Sequence, residues 1–284
     1  MIQIYFEDIK TSNLGFGTSL LTRSNSVKDA ISNLETSFDY GITHFDCARL
    51  YGFGQAEEIL GRFLRDKRKK ITITTKSGLS SRELPLFALP LINKIRKFVS
   101  FNQTLTNATN NLVVNGQFTP VTIQKDLEKS LRKLKTEYID FYLLHEAEVA
   151  QANSLDILNV LEKEKQKGKI LHFGIASNTD KIASSYYSLN EAHKIVQHNS
   201  SLLGGEIKNL PINYGDRLRI IYNIFSQENR EYAEQKFREL GFSNSFEYIL
   251  DHFKSSNSGG ITLFSSNNNK NIKSTAEFWY NSNN

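Results

Sequence analysis

The chain is poor in cysteine, methionine and tryptophan, with one of each, and has four prolines among its 284 residues. A single cysteine cannot form an internal disulfide, which excludes a disulfide-stabilised secreted scaffold and fits a reducing compartment. No apolar run approaches the roughly 20 residues that a membrane-spanning helix needs, and the mean hydropathy is −0.41. The opening MIQIYFEDIK carries early acidic residues and no apolar signal region. We therefore expect a cytoplasmic protein with no membrane partner.

The charge balance is mildly basic, with 35 Lys and Arg against 30 Asp and Glu and a formal net charge of +5. Such a balance fits an ordinary basic enzyme surface, and it also fits a protein that binds nucleic acid or an anionic membrane. No nucleic-acid-binding motif accompanies the charge, so we expect a small-molecule partner and no nucleic acid.

Short apolar runs alternate with segments of helical periodicity along nearly the whole sequence. Helix-start signals stand at Ser26 and at Thr119-Pro120, and the charged run 65–70 is typical of a solvated turn. A short polar lead-in precedes eight predicted strands, at 13–17, 42–45, 71–76, 138–145, 170–176, 194–197, 218–225 and 260–264. This alternation predicts the α/β class, with a single (β/α)8 TIM barrel over residues 1–284. An open doubly wound sheet competes, but its phosphate loop needs a third glycine where Leu20 stands.

The alternation breaks in two places. A connection of about forty residues, 77–118, follows the third strand, whereas α/β connections usually take about 2–6. Its apolar and basic piece 89–101 could form a short amphipathic helix. Long loops at this face of a barrel form lids or substrate walls, so we expect a role in the active site; a disordered insertion without a role is the alternative. The helix expected between the sixth and seventh strands is weak or absent.

Polar residues stand at the ends of three predicted strands. Asp46 follows the second strand, with Tyr51 shortly after it, Lys76 ends the third, and His145 ends the fourth. Each residue alone has an ordinary explanation, as a helix cap, a core aromatic, an exposed strand end or a loop histidine. The carboxyl ends of barrel strands meet around one mouth, however, so the four together predict a single active site.

This ordered set resembles the catalytic tetrad of the aldo-keto reductases. The segments GFGT, GITHFDCARLYG, TTKSG, YIDFYLLH and KILHFGIASN resemble the same family, and the resemblance covers nearly the whole chain. It implies an NADP-dependent oxidoreductase that reduces an aldehyde or ketone to an alcohol, or catalyses the reverse. No side chain donates hydride, so a nicotinamide must supply it.

Each member of the tetrad has a chemical role in this reaction. A free phenol has a pKa of about 10, too high for ready proton exchange at neutral pH. We expect Lys76 to lower the pKa of Tyr51, the proton donor, and Asp46 to hold Lys76 as an ion pair. His145 would donate a hydrogen bond to the substrate oxygen and orient the carbonyl.

The resemblance also implies a set of cofactor contacts. Ser177 and Asn178 can equally cap a helix, and Phe225 stands where the family more often has tyrosine. The implied contacts are Gly17 and Thr18 in the turn under the nicotinamide, Ser177, Asn178 and Gln197 at its carboxamide, Phe225 stacked on its ring, Ser226 at the diphosphate, and Asp46.

The site for the 2′-phosphate of NADP departs from the family. A Lys-Ser pair and a later Arg hold that phosphate in the family, whereas this chain has Ser265, Ser266 and roughly Asn271. Lys270 and a helix beginning near Asn268 could supply positive charge and backbone N–H groups. The preferred cofactor is therefore NADP(H), with NAD(H) possible and no metal required.

Two other functions stay open. One is a catalytically weak, nicotinamide-binding regulatory subunit that resembles the channel-associated members of the family. The other, a metal hydrolase on the same barrel, is disfavoured because the six histidines lack HExxH or similar spacing. Phe53 and Leu79 are candidate pocket residues. Many steroid-handling members of the family carry a long loop after the last helix, whereas this segment is short here, so the resemblance implies small or openly bound carbonyls. We expect a monomer or a weak homo-oligomer.

Overall fold

The computed structural model describes residues 2–81, 83–88, 113–114, 118–203 and 216–281. Its strands are β1 (Gln3–Phe6), β2 (Ile9–Ser12), β3 (Leu14–Gly17), β4 (His44–Asp46), β5 (Thr72–Ser77), β6 (Ser80–Ser81), β7 (Val113–Val114), β8 (Ile139–His145), β9 (Ile170–Ala176), β10 (Ile195–Asn199), β11 (Leu218–Tyr222) and β12 (Ile261–Phe264). A closed barrel runs in the order β3-β4-β5-β8-β9-β10-β11-β12, and β12 returns to β3. Every neighbouring pair in it is parallel. The predicted (β/α)8 barrel is confirmed.

Helices surround the barrel and bury one face each against it. Ser26 Oγ accepts a hydrogen bond from Asp29 N at 3.1 Å, and Thr119 Oγ1 accepts one from Thr122 N at 3.2 Å, so both predicted helix starts are confirmed. No helix in the described part of the chain is both long and apolar enough to cross a membrane. The helices are α1 (Val27–Asp39), α2 (Gln55–Phe63), α3 (Pro120–Leu134), α4 (Val149–Ala152), α5 (Leu155–Gln166), α6 (Thr179–Ser185), α7 (Gln227–Lys236), α8 (Ser245–Ser256) and α9 (Asn269–Asn281).

An antiparallel hairpin of β1 and β2 closes the amino-terminal end of the barrel. Ile4 and Ile9 belong to the same buried apolar cluster as Ile195 and Leu218, the first residues of β10 and β11. The sequence-based interpretation of this segment as a polar lead-in was wrong. Each strand has four residues and one buried apolar side chain, Ile4 in β1 and Ile9 in β2, so the pattern is too short to stand out.

The charged run 65–70 is also more than a solvated turn. Arg68 donates to Asp140 Oδ2 at 2.7 Å and to the carbonyl oxygen of Tyr138 at 2.9 Å, and its guanidinium lies 3.8 Å from the Tyr138 ring centroid. Asp140 Oδ2 also accepts from Ile73 N at 2.8 Å. Arg68 and Asp140 therefore stabilise the pairing of β5 with β8. These two strands carry Lys76 and His145, two of the four predicted catalytic residues.

The long connection after β5 leaves and returns through one short ribbon, because β6 pairs antiparallel with β7. The predicted amphipathic helix at 89–101 lies outside the described residues. So does 204–215, which contains most of the link between β10 and β11.

Candidate active site

A cavity of about 410 Å³ opens at the carboxyl ends of the barrel strands. Its volume lies within the ~300–1,000 Å³ of typical small-molecule sites. Its lining includes Asp46, Tyr51, Lys76 and His145. Asp46 and His145 are the last residues of β4 and β8, and Lys76 is the next to last of β5. The parallel barrel thus brings the four sequence-predicted residues to one mouth.

Asp46 and Lys76 form a buried ion pair. Lys76 Nζ donates to Asp46 Oδ1 at 2.7 Å, to Oδ2 at 2.8 Å and to the Cys47 carbonyl oxygen at 2.9 Å. These three bonds use all three protons of the ammonium. Gln197 Nε2 adds a further hydrogen bond to Asp46 Oδ2 at 2.8 Å. The pair is therefore fully coordinated and fixed in place.

Tyr51 lies on the tight turn between β4 and α2. Gly52 follows it with φ +60°, and a Cβ there would lie 2.1 Å from Thr22 Cγ2, so both the backbone and the packing require glycine. The Tyr51 ring centroid lies 5.1 Å from Lys76 Nζ and 6.3 Å from the His145 ring, to which it stands edge-on. The turn thus places the phenol ring close to both the ammonium and the imidazole.

The pKa of Tyr51 lies above its ordinary value of 10, not below it as the sequence led us to expect. Burial is the largest cause, followed by the electrostatic effects of the Asp46 carboxylate, the Cys47 side chain and the Glu146 carboxylate. The ammonium of Lys76 is already compensated by Asp46, which explains why it does not reverse this shift. The phenol is therefore protonated at neutral pH, as a proton donor has to be.

His145 is neutral at physiological pH. Burial, with a smaller contribution from the charge of Lys76, lowers its pKa to about 3. Its Nδ1 is buried and makes no hydrogen bond within the described residues. A neutral imidazole can donate one ring N–H to a ligand oxygen without adding a charge to the cavity.

A second cavity of about 450 Å³ adjoins the first and leads to the beginning of α9. The two share Phe225, Arg230, Phe264 and Ser265, so they form one continuous groove. The far part adds Ser245, Phe246, Ile249, Ser266, Asn271, Ser274 and Thr275. The groove therefore joins the tetrad to the serines that follow β12.

A sequence model of the Aldo/keto reductase family matches residues 13–202. The chain belongs to this family. The uncharacterized oxidoreductase YqkF of Bacillus subtilis is 24% identical over 254 residues, which cover 86% of this chain and 72% of YqkF. The chain spans half or less of the length of several other curated relatives.

Solved aldo-keto reductases share the fold. One from Bacillus halodurans, in its holo form, has a TM-score of 0.74 at 17% identity, over 99% of this chain and 91% of that one. One from Klebsiella pneumoniae, in complex with NADPH, has a TM-score of 0.66 at 16% identity, over 98% and 90%. The family consists of oxidoreductases that use nicotinamide cofactors.

Two residues of this aldo-keto reductase flank the cavity at the end of β3. Gly17 lines it, and a Cβ at this position would lie 2.5 Å from Ser265 Oγ. Thr18 is buried and donates to the Asp46 carbonyl oxygen at 3.0 Å. Gly17 thus keeps the groove open where β3 approaches the serine after β12, and Thr18 supports the strand end that carries Asp46.

The three expected carboxamide residues already have hydrogen-bond partners. Ser177 donates to Glu146 Oε2 at 3.2 Å, and Gln197, which lines the cavity, bonds Asp46. Asn178 Oδ1 accepts from Lys181 N at 3.0 Å and caps α6. Asn178 therefore has the helix-cap role that the sequence left open.

Two neighbouring residues after β11 have different roles: Phe225 lines the groove, and Ser226 caps a helix. Phe225 lines both parts of the groove and stacks parallel to Phe246, with ring centroids 5.4 Å apart. Ser226 Oγ accepts from Asn229 N at 3.1 Å and caps α7. Among the described residues, the groove lining includes neither Ser226 nor the candidate pocket residues Phe53 and Leu79.

Ser265, Ser266 and Asn271 line the far part of the groove, as their proposed phosphate role requires. Lys270 is exposed in the first turn of α9 and is not part of the described lining. Its backbone N donates to Asn268 Oδ1 at 2.9 Å, so the cap of α9 occupies that N–H. The residues after β12 that reach the groove are polar but uncharged.

Three residues that the sequence did not single out also line the groove. Arg230, on α7, faces both parts, and its Nε donates to the Phe225 carbonyl oxygen at 2.8 Å. Tyr222 ends β11, and Glu146 directly follows His145. Glu146 could have been found from its place next to the tetrad. Arg230 lies in a strongly polar segment with no periodic pattern to mark it.

One group of possible metal ligands does form, away from the active site. The side chains of Glu7, Asp8 and His172 each offer a ligand atom within 4.8 Å of the others. His172 Nδ1 lies 3.6 Å from Glu7 and Nε2 lies 3.8 Å from Asp8, so the two acids face different ring nitrogens. The group sits by the β1–β2 turn, at the opposite end of the barrel, and takes no part in the groove.

Proposed function

We propose that this aldo-keto reductase reduces an aldehyde or ketone to an alcohol, or catalyses the reverse, with hydride from NAD(P)H and a proton from Tyr51. The observation that carries the proposal is the grouping of Tyr51, His145 and the buried Asp46–Lys76 pair around one cavity. That cavity continues into a second one that reaches the serines after β12, and an extended dinucleotide needs such a continuous groove.

A bound nicotinamide supplies the hydride in this reaction. His145 donates a hydrogen bond to the carbonyl oxygen and orients it, without bringing a charge, because burial holds its pKa at about 3. Tyr51 gives its proton to the same oxygen as negative charge develops there. Asp46 holds the ammonium of Lys76 5.1 Å from the centroid of the Tyr51 ring, where its positive charge partly offsets the negative charge of the phenolate that remains.

The groove fits a phosphorylated cofactor, and we place NADP(H) ahead of NAD(H). Phe225 would stack on the nicotinamide with the face that Phe246 leaves open. Ser265, Ser266 and Asn271 offer hydrogen bonds to phosphate oxygens at the far end. Arg230 supplies the positive charge, because a guanidinium matches the geometry of a phosphate.

Fluorescence titration of the purified protein with NADPH and NADH, each alone, tests the cofactor assignment. Tight NADPH binding with weak NADH binding supports a phosphate-selective site, and comparable binding of both indicates that the serine-rich segment has relaxed the selectivity. Binding of neither cofactor contradicts the proposed function. Cofactor binding without turnover on any carbonyl of a broad panel points instead to the regulatory subunit.

A further inference from the structure

A carboxylate stands at the cavity wall beside the tetrad. Glu146 directly follows His145 and lines the cavity with Tyr51 and Tyr222. Its φ of 61° lies in the left-handed region, which is uncommon for a residue other than glycine. Its backbone N donates to the Ala176 carbonyl oxygen at 2.6 Å, which fixes this conformation against the end of β9. The backbone of Glu146 is thus held at a defined place on the wall.

The charge of Glu146 is not neutralised by an ion pair within the described residues. Ser177 Oγ donates to its Oε2 at 3.2 Å, which leaves Oε1 without a described partner. The nearby Lys181 pairs with Glu148 at 2.9 Å. The two cations that line the cavity bond elsewhere, Lys76 to Asp46 and Arg230 to a backbone carbonyl oxygen.

This charge acts on the reacting centre. After burial and Asp46, Glu146 is among the causes that raise the pKa of Tyr51. For the neighbouring Tyr222, burial is the largest cause of a raised pKa and Glu146 is the next. A carboxylate that influences both phenol groups of the cavity also influences a substrate bound in it.

We propose that Glu146 makes the active site selective for carbonyl compounds that carry a cationic nitrogen. The inference rests on the proposed carbonyl reduction. A cationic group placed against the carboxylate gains a charge pair inside a partly desolvated cavity, whereas a substrate carboxylate meets like charge. The reduction itself is unchanged, because the hydride still goes to the carbonyl carbon and the proton still comes from Tyr51.

Three benzaldehydes of similar shape test the selectivity, with a para-trimethylammonio, a para-tert-butyl or a para-carboxy group. We expect Glu146→Gln to lower the ratio of kcat/KM for the cationic over the neutral aldehyde by about ten-fold or more. The same variant should raise the ratio of kcat/KM for the carboxylate over the neutral aldehyde. Glu137→Gln is the matched control, because Glu137 is exposed, forms no ion pair within the described residues and lies outside the described cavity lining. This control should leave the ratio of kcat/KM for the cationic over the neutral aldehyde unchanged, and likewise the ratio for the carboxylate over the neutral aldehyde.

The outcomes separate the two proposals. If the ratio of kcat/KM for the cationic over the neutral aldehyde changes less than two-fold in Glu146→Gln, the proposed selectivity is wrong, even if all three aldehydes are reduced. A weakened NADPH affinity with an unchanged ratio also overturns it and assigns Glu146 to the nicotinamide carboxamide. Failure of the wild-type protein to reduce any carbonyl contradicts the proposed function itself. Glutamine keeps an oxygen for Ser177, and thermal melting of both variants checks that they fold.

Discussion

The buried Asp46–Lys76 pair makes a prediction about stability that needs no cofactor. Lys76 is 2% exposed, and its ammonium bonds both carboxylate oxygens of Asp46. Lys76→Met keeps most of the side-chain volume and leaves a buried carboxylate with Gln197 as its remaining side-chain donor. Removing one partner of a buried pair costs about 3–5 kcal/mol. Because Asp46 retains that amide, we expect about 3 kcal/mol.

The assay is thermal and urea unfolding at pH 7. With ~2–4 °C per kcal/mol for a large domain, the melting temperature of Lys76→Met should fall by about 6–12 °C. The double variant Asp46→Asn, Lys76→Met removes both charges and should recover part of this loss. The reasoning is refuted if Lys76→Met loses less than about 1 kcal/mol, or if the double variant is as unstable as the sum of the single variants.

The remaining predictions concern pH and the cofactor. With the pKa of His145 at about 3 and that of Tyr51 above 10, kcat/KM for reduction should be flat from about pH 5 to 9, and a titration near pH 6.5 would contradict this. Burial lowers the pKa of His44 to about 3, so between pH 6.5 and 3 the unfolded chain binds more protons than the folded one. The contribution of His44 to the free energy of unfolding should therefore fall with decreasing pH, by up to about 1.4 kcal/mol per pH unit. Urea unfolding of the wild type and of His44→Gln, compared at each pH, measures this contribution. Arg230→Ala should raise the Kd for NADPH about ten-fold and Lys270→Ala far less; the reverse order would return the phosphate role to Lys270.

The barrel and the grouping of Asp46, Tyr51, Lys76 and His145 in one cavity could be predicted from local sequence patterns. The barrel strands are short and buried, and Asp46, Lys76 and His145 stand at or next to the ends of three of them, so parallel topology brings them together. The hairpin β1–β2 was missed because its apolar alternation is so short. The ion pair of Arg68 was missed because its partner Asp140 is distant in sequence.

The electrostatics of the site could not be predicted in the same way. The hydrogen bond of Gln197 to Asp46 and the placement of Arg230 beside Ser265 depend on how distant strands and helices meet, which no spacing shows. The sequence predicts a lowered pKa for Tyr51 because it indicates the neighbouring ammonium of Lys76 but not the burial of the phenol. In the folded chain, burial and nearby negative charges dominate over that ammonium.

The central claim is that Tyr51 gives the proton in carbonyl reduction, and Tyr51→Phe tests it most directly. Phenylalanine keeps the ring beside His145 and removes only the hydroxyl. With a reducible aldehyde and saturating NADPH, we predict a kcat about 100- to 10,000-fold below wild type, with the Kd for NADPH unchanged. A variant that turns over at a near-wild-type rate would contradict the account.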